Sequence, residues 1–138
     1  MPKTILLVED SPDDALFCQK VMEKLVANRI VVVGNGREAI TYLAGIGEYA
    51  DRQRFPIPDV VLLDLKLPLV DGFGVLDWLK TQSVVSPLVV VLSHYGQMQE
   101  INRAYQMGAA TFLTKPLKQE DVLHLVTHFS QYLDRRPE

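Results

Sequence analysis

The chain has 138 residues, of which 48% are hydrophobic and 22% are charged. These proportions are typical of one globular domain and exclude an intrinsically disordered chain. A net charge of −3 without a basic run argues against a nucleic-acid partner. The only cysteine, Cys18, can form no intrachain disulfide and suits a reducing compartment.

The opening residues, MPKTILLVED, lack the long apolar stretch and the cleavage site of a signal peptide. No other window approaches the roughly 20 apolar residues that a membrane span requires. The sequence therefore predicts a cytoplasmic protein without a membrane partner.

Short apolar runs alternate with helix-like segments along the chain. Runs of this kind are typical of strands that sheet and helices bury on both faces. The predicted strands are Thr4–Val8, Ile30–Val33, Val60–Leu63, Leu88–Leu92 and Ala110–Leu113.

Helix-start signals follow the strands, beginning with Ser11 as an N-cap and Pro12 at the first helical position. Asn35 begins the second helix in the same way, and the stretch from Gly45 to Pro58 is predicted to be a surface loop. The other helices are predicted from Pro12 to about Ala27, over Gly72–Thr81, over Gln97–Met107 and over Gln119–Leu133. Five strand–helix repeats predict a parallel α/β sheet covered on both faces.

Polar residues stand where the predicted strands end. Because the carboxyl ends of parallel strands share one edge of a sheet, these residues should lie close together. They are Glu9 and Asp10 after the first strand, Asp64 after the third, Ser93 after the fourth, and Thr114 with Lys115 after the fifth.

Three crowded carboxylates repel one another unless a cation compensates them. Oxygen ligands at an open site favour Mg²⁺, which binds one or two carboxylates together with phosphate oxygens. Asp64 is then placed to attack a phosphoryl donor and form an aspartyl phosphate. Lys115 supplies further positive charge, and Ser93 offers a hydroxyl to a phosphoryl oxygen.

The motifs VED, LLDLKLPLVDG, VLS and TKP, in this order and spacing, resemble those of the receiver domain of two-component response regulators. The resemblance covers about Lys3 to Asp134. It implies a flavodoxin-like (βα)5 fold, a doubly wound parallel sheet with strand order 2-1-3-4-5. It also implies one receiver domain over residues 1–138 with no output domain, similar to small regulators paired with phytochrome-type histidine kinases.

The same resemblance implies a role for each matched position. These positions are Asp64 as the phosphoacceptor, Glu9 and Asp10 as the acidic pair, Lys66 as a backbone-carbonyl ligand to Mg²⁺, Ser93 as the switch hydroxyl, Phe112 as the switch aromatic, and Lys115 as the family's lysine. The Lys115-Pro116 bond is cis in that family.

Four positions depart from the usual family pattern. Glu9 replaces the more usual aspartate, and Phe112 lacks the hydroxyl of a tyrosine. His94 replaces a small residue and is expected to hinder access to the phosphoryl group. Lys66 puts a long side chain at the mouth of the site, where it is expected to slow attack by water.

The resemblance implies a switch that receives a phosphoryl group from a histidine kinase or exchanges it with a histidine phosphotransfer protein. The fourth helix, fifth strand and fifth helix are then expected to form the output face and a candidate homodimer surface, with residues Met98, Ile101, Tyr105, Leu117 and Val122. The chain is expected not to be an enzyme beyond its own phosphorylation and dephosphorylation.

Two alternatives remain. One is a receiver-like docking module that is never phosphorylated. The other is a phosphatase of the haloacid-dehalogenase type, which needs a second aspartate where this chain has Lys66.

Overall fold

The structure is a computed structural model that describes residues 2–83, 86–94 and 96–137. A five-stranded parallel sheet with the order β2-β1-β3-β4-β5 forms its centre. The flavodoxin-like order predicted from the resemblance is confirmed. The strands are β1 (Thr4–Val8), β2 (Arg29–Val33), β3 (Val60–Leu63), β4 (Leu88–Ser93) and β5 (Thr111–Thr114).

A helix follows each strand, and three of the helices begin with a side-chain cap. Ser11, Asn35 and Asp71 each accept a hydrogen bond from the backbone N–H three residues later. These caps fix the residues at which α1, α2 and α3 begin. The helices are α1 (Pro12–Glu23), α2 (Gly36–Ala44), α3 (Gly72–Lys80), α4 (Met98–Gln106) and α5 (Gln119–His128), with 3₁₀ turns at Gly47–Tyr49 and Ser130–Tyr132.

The central strands are buried on both faces, which explains their unbroken apolar sequences. In β1, Ile5 and Leu7 pack with α1 and α5, while Leu6 and Val8 pack on the other side with α2 and α3. Cys18 lies in the first of these two clusters and is buried, as its position on the apolar stripe of α1 predicts.

Two helices end earlier than predicted, because the chain after α5 pairs with the chain after α1. Val26 forms an antiparallel bridge with Arg135, and Ala27 N–H donates to the Asp134 carbonyl over 2.6 Å. The prediction of α1 to Ala27 is therefore wrong, and the helix ends at Glu23.

The same pairing ends α5 at His128 rather than at Leu133. The Asn28 side chain donates to the Tyr132 carbonyl over 3.2 Å and accepts from Asp134 N–H over 2.7 Å. Leu133 is extended, yet its side chain is buried.

The stretch from Gly45 to Pro58 is better ordered than a plain surface loop. The rings of Tyr42 and Tyr49 lie 4.9 Å apart, and Phe55 packs edge-on against both. Arg52 donates to the carbonyls of Tyr42 and Leu43 at the end of α2. Aromatic packing and this arginine hold the connection against α2.

Two members of the predicted output face are misplaced. Leu117 and Val122 are buried in the core with α1, so they cannot contact a partner. Met98 and Tyr105 are exposed on α4 as predicted. Over the described residues, no helix is long and apolar enough to cross a bilayer.

Candidate functional site

Three carboxylates meet at the carboxyl edge of the sheet, as the strand-end pattern predicts. Glu9, Asp10 and Asp64 each offer an oxygen within 4.8 Å of the others. Glu9 and Asp64 are buried, whereas Asp10 is exposed. Because β1 and β3 are neighbours in the sheet, residues 55 positions apart in sequence (9 to 64) end side by side.

The buried side chain of Lys115 compensates this acidic cluster. Its ammonium donates to Asp64 Oδ2 over 2.8 Å and to Glu9 Oε1. A third carboxylate, that of Asp14, lies 3.4 Å from the same nitrogen. An ammonium has three N–H donors, so these three contacts match its capacity.

The charges of the site follow from these contacts. Burial raises the pKa of the Glu9 carboxyl, and the hydrogen bonds that it accepts from Lys115 and Ser11 offset only part of this rise. Burial alone lowers the pKa of Lys115, but its hydrogen bonds to Asp64 and Glu9 outweigh burial and raise that pKa above its ordinary value. Lys115 is therefore positively charged at neutral pH.

Asp64 is held by the backbone that follows it. The Lys66 N–H donates to Asp64 Oδ1 over 3.0 Å, which leaves Oδ2 to Lys115. Gly72 opens α3 directly against this turn, and a Cβ there would come within 2.5 Å of the Asp64 carbonyl oxygen. Only glycine fits at this close approach, and the Asp71 cap starts the helix at the same point.

The remaining predicted residues lie on β4 and β5. Ser93 is buried at the end of β4, and its carbonyl accepts from Lys115 N–H over 2.9 Å. Phe112 is half-buried, and its ring lies so close to Gly96 that a Cβ on the glycine would meet it at 2.9 Å. The Lys115-Pro116 bond is cis, as the resemblance implies. Ser93 at the end of β4 and Lys115 after β5 therefore lie side by side at the carboxyl edge of the sheet.

Asp14, an acid in the first turn of α1, was not among the predicted site residues. Asp14 Oδ2 lies 3.3 Å from His94 Nε2 as well as 3.4 Å from Lys115 Nζ. No local pattern indicates these contacts, because Asp14 lies on α1 whereas His94 and Lys115 follow β4 and β5.

The donor set suits a hard divalent cation. Glu9, Asp10 and Asp64 offer only oxygen, and the exposed Asp10 keeps the cluster open to solvent. Mg²⁺ prefers such ligands and keeps several waters, while imidazole and thiolate ligands, which Zn²⁺ prefers, are not part of this cluster of described residues. The residues therefore fit the cation expected from the sequence.

Comparison with known proteins gives the family. Residues 5–127 match the model of the response regulator receiver domain. The chain is 35% identical over 133 residues to the probable methanogenesis regulatory protein FilR2 of Methanothrix harundinacea, covering 95% of this chain and 83% of FilR2. It is 32% identical over 127 residues to the response regulator Rcp1 of Synechocystis, covering 91% of this chain and 84% of Rcp1.

Solved structures agree with the sequence comparisons. The Mn²⁺-bound form of Rcp1 superposes with a TM-score of 0.80 at 29% identity, covering 99% of this chain and all of Rcp1. The bacteriophytochrome response regulator AtBRR superposes with a TM-score of 0.80 at 37% identity, covering 92% of this chain and 91% of AtBRR. The residues that the family model matches, 5–127, include Glu9, Asp10 and Asp64 of the acidic cluster. The chain belongs to the response regulator receiver domain family.

Proposed function

We propose that the protein is a phosphorylation switch in a two-component phosphorelay, with Asp64 as the phosphoacceptor. The observation that carries the proposal is the contact of Asp64 Oδ2 with Lys115 Nζ at 2.8 Å inside a cluster of three carboxylates. A carboxylate oxygen at an open strand end can reach a donor, and a buried cation beside it stabilises the charge of phosphoryl transfer.

The donor is the phosphohistidine of a histidine kinase or of a histidine phosphotransfer protein. An Asp64 oxygen attacks phosphorus and forms the P–O bond as the P–N bond breaks, and the electron pair of that bond returns to the imidazole nitrogen. Glu9, Asp10 and Asp64, with the Lys66 carbonyl, are the proposed ligands of Mg²⁺, which supplies neutralisation of the phosphoryl oxygens. Lys115 and the Ser93 hydroxyl bind phosphoryl oxygens from the protein side.

The response to phosphorylation is proposed to travel through the loop after β4. Added charge on Asp64 draws Ser93 and Lys115 toward the phosphoryl group, and Phe112 moves inward. Gly96 lies against the Phe112 ring. A movement of the ring therefore shifts the loop before α4. Met98 and Tyr105 on the exposed face of α4 then bind a partner protein or a second copy of the chain.

The kinase partner is proposed to be of the phytochrome type. The support is the likeness, at 37% identity, to the bacteriophytochrome response regulator AtBRR. We place the switch in the cytoplasm, since its buried cysteine suits a reducing compartment. The absence of a nucleic-acid partner stays a prediction.

Intact mass spectrometry after incubation with Mg²⁺ and acetyl phosphate tests the proposal. We expect one added phosphoryl group on the wild type and on Asp77→Asn, a control at an exposed position of α3, and none on Asp64→Asn. Rapid turnover of acetyl phosphate without an adduct would indicate a phosphatase instead. No adduct on any variant would indicate a docking module.

A further inference from the structure

The ammonium of Lys115 has no spare donor. Its three N–H groups face Glu9, Asp64 and Asp14, at 2.8 Å for Asp64 and 3.4 Å for Asp14. A phosphoryl group on Asp64 can be bound by Lys115 only if one of these three contacts is given up. The contact that breaks most easily therefore determines how readily Asp64 is phosphorylated.

The contact with Asp14 is the one best suited to yield. It is longer than the contact with Asp64, and Asp14 is 38% exposed whereas the Glu9 and Asp64 side chains are 4% and 9% exposed. Breaking an exposed ion pair costs little because water replaces the partner, whereas breaking a buried one leaves an uncompensated charge.

His94 keeps Asp14 within reach of Lys115. Its Nε2 lies 3.3 Å from Asp14 Oδ2, the same oxygen that faces Lys115. This contact joins the first turn of α1 to the residue after β4, and both residues line a small pocket together with Lys115. Because 59% of the His94 side chain is exposed, this contact biases the position of the Asp14 carboxylate toward Lys115 with the small energy of an exposed pair.

Building on the proposed function, we propose that Asp14 is a positioning residue that competes with the incoming phosphoryl group for Lys115, and that His94 holds Asp14 in place for this role. In the unphosphorylated protein, the contact with Asp14 directs one N–H of the Lys115 ammonium toward α1. Phosphorylation of Asp64 requires that this contact break. Neither residue touches the reacting atoms, and both act through Lys115.

The first experiment measures the rate of phosphorylation by acetyl phosphate in Mg²⁺. We expect Asp14→Asn to react about two- to fivefold faster than the wild type, the range of a partly exposed ion pair. His94→Gln is expected to change the rate in the same direction, and the double variant is expected to be no faster than Asp14→Asn alone. The matched control is Asp13→Asn, an exposed acid in the same helical turn, which should leave the rate unchanged.

A variant cycle separates competition for Lys115 from simple repulsion of an anionic donor. In a Lys115→Gln background, Asp14→Asn should have no effect if Asp14 acts through the ammonium. An effect that persists undiminished in that background overturns the proposal, as does an Asp14→Asn rate equal to or below that of the wild type.

A second measurement does not depend on phosphorylation. In ¹⁵N-lysine-labelled protein, Asp14→Asn should shift the Lys115 Nζ resonance, assigned by its loss in Lys115→Gln, and Asp13→Asn should not. An unshifted resonance overturns the contact even if Asp64 is phosphorylated normally. A shifted resonance in a protein that forms no adduct supports the contact, and the role in phosphoryl transfer then fails with the proposed function.

Discussion

Lys115 and Asp64 are separated by 51 positions in sequence, and their charged atoms lie 2.8 Å apart. The contact joins the end of β5 to the end of β3, with β4 between them in the sheet. Burying a carboxylate without a partner is costly, and this lysine removes most of that cost. It also means that the resting pocket already contains one of the positive charges that the proposed reaction needs.

Removing this charge should destabilise the protein and strengthen its binding of Mg²⁺. Lys115→Gln leaves Asp64 and Glu9 buried without a cation, which is expected to lower the free energy of unfolding by about 3 kcal/mol in metal-free buffer. Because the proposed Mg²⁺ site exists only in the folded acidic cluster, Mg²⁺ should restore more stability in the variant than in the wild type. Urea unfolding with and without Mg²⁺ measures both effects. Lys20→Gln, at an exposed position, is the control, and an equal gain from Mg²⁺ in both variants would contradict the prediction.

Gly72 should tolerate no side chain. A Cβ at this position would come within 2.5 Å of the Asp64 carbonyl oxygen and 2.6 Å of Leu65 Cα, so the backbone would have to shift. We expect Gly72→Ala to lower the free energy of unfolding by about 1–3 kcal/mol and to slow phosphorylation of Asp64. Gly34→Ala is the matched control, because a Cβ there meets nothing within 4 Å. Equal stability of the two variants in urea would refute the close approach.

Cys18 should be unreactive in the folded protein. Burial raises the pKa of its thiol to about 12, and the charge of Glu9 adds to the rise, so almost no thiolate is present at neutral pH. Iodoacetamide is expected to modify the native protein at least about a hundredfold more slowly than the urea-unfolded protein, whose cysteine has an ordinary pKa. Mass spectrometry over time measures both rates. Rapid labelling of the native protein would show that Cys18 is accessible.

The chain after α5 should stabilise the fold in a pH-dependent way. Asp134 accepts from Lys3 N–H over 2.6 Å and pairs with the Lys3 ammonium at 3.1 Å, and the backbone hydrogen bond is the main cause that lowers the pKa of Asp134. Because this pKa is lower in the folded state, the stabilisation is complete above the ordinary aspartate value and is lost as the pH falls through the lowered one.

Asp134→Asn is therefore expected to cost about 1 kcal/mol at pH 7 and almost nothing near pH 2. Urea unfolding across this pH range measures the difference between variant and wild type. Asp77→Asn, on the exposed face of α3, should show no such pH-dependent difference. A cost for Asp134→Asn that is constant with pH would mean that its charge is not the cause.

The amino-acid sequence alone determined the alternation of strands and helices, the caps at Ser11 and Asn35, and the set of polar strand ends. These features are local: an apolar run defines a buried strand, and a cap acts within three residues. Parallel strand order then requires that polar ends share one edge, so the cluster of Glu9, Asp10 and Asp64 was predictable before any coordinates.

Tertiary structure alone decided the features that depend on distant chain segments. After α1, Ala27 N–H donates to the Asp134 carbonyl and the Leu25 carbonyl accepts from Arg136 N–H, so α1 ends early for a reason that no pattern inside it reveals. The contact of Asp14 with both His94 and Lys115 likewise joins three separate elements. Local sequence reports the conformational preference of a segment, whereas the partner of an exposed charge or an unpaired backbone group depends on which other segments the fold brings beside it.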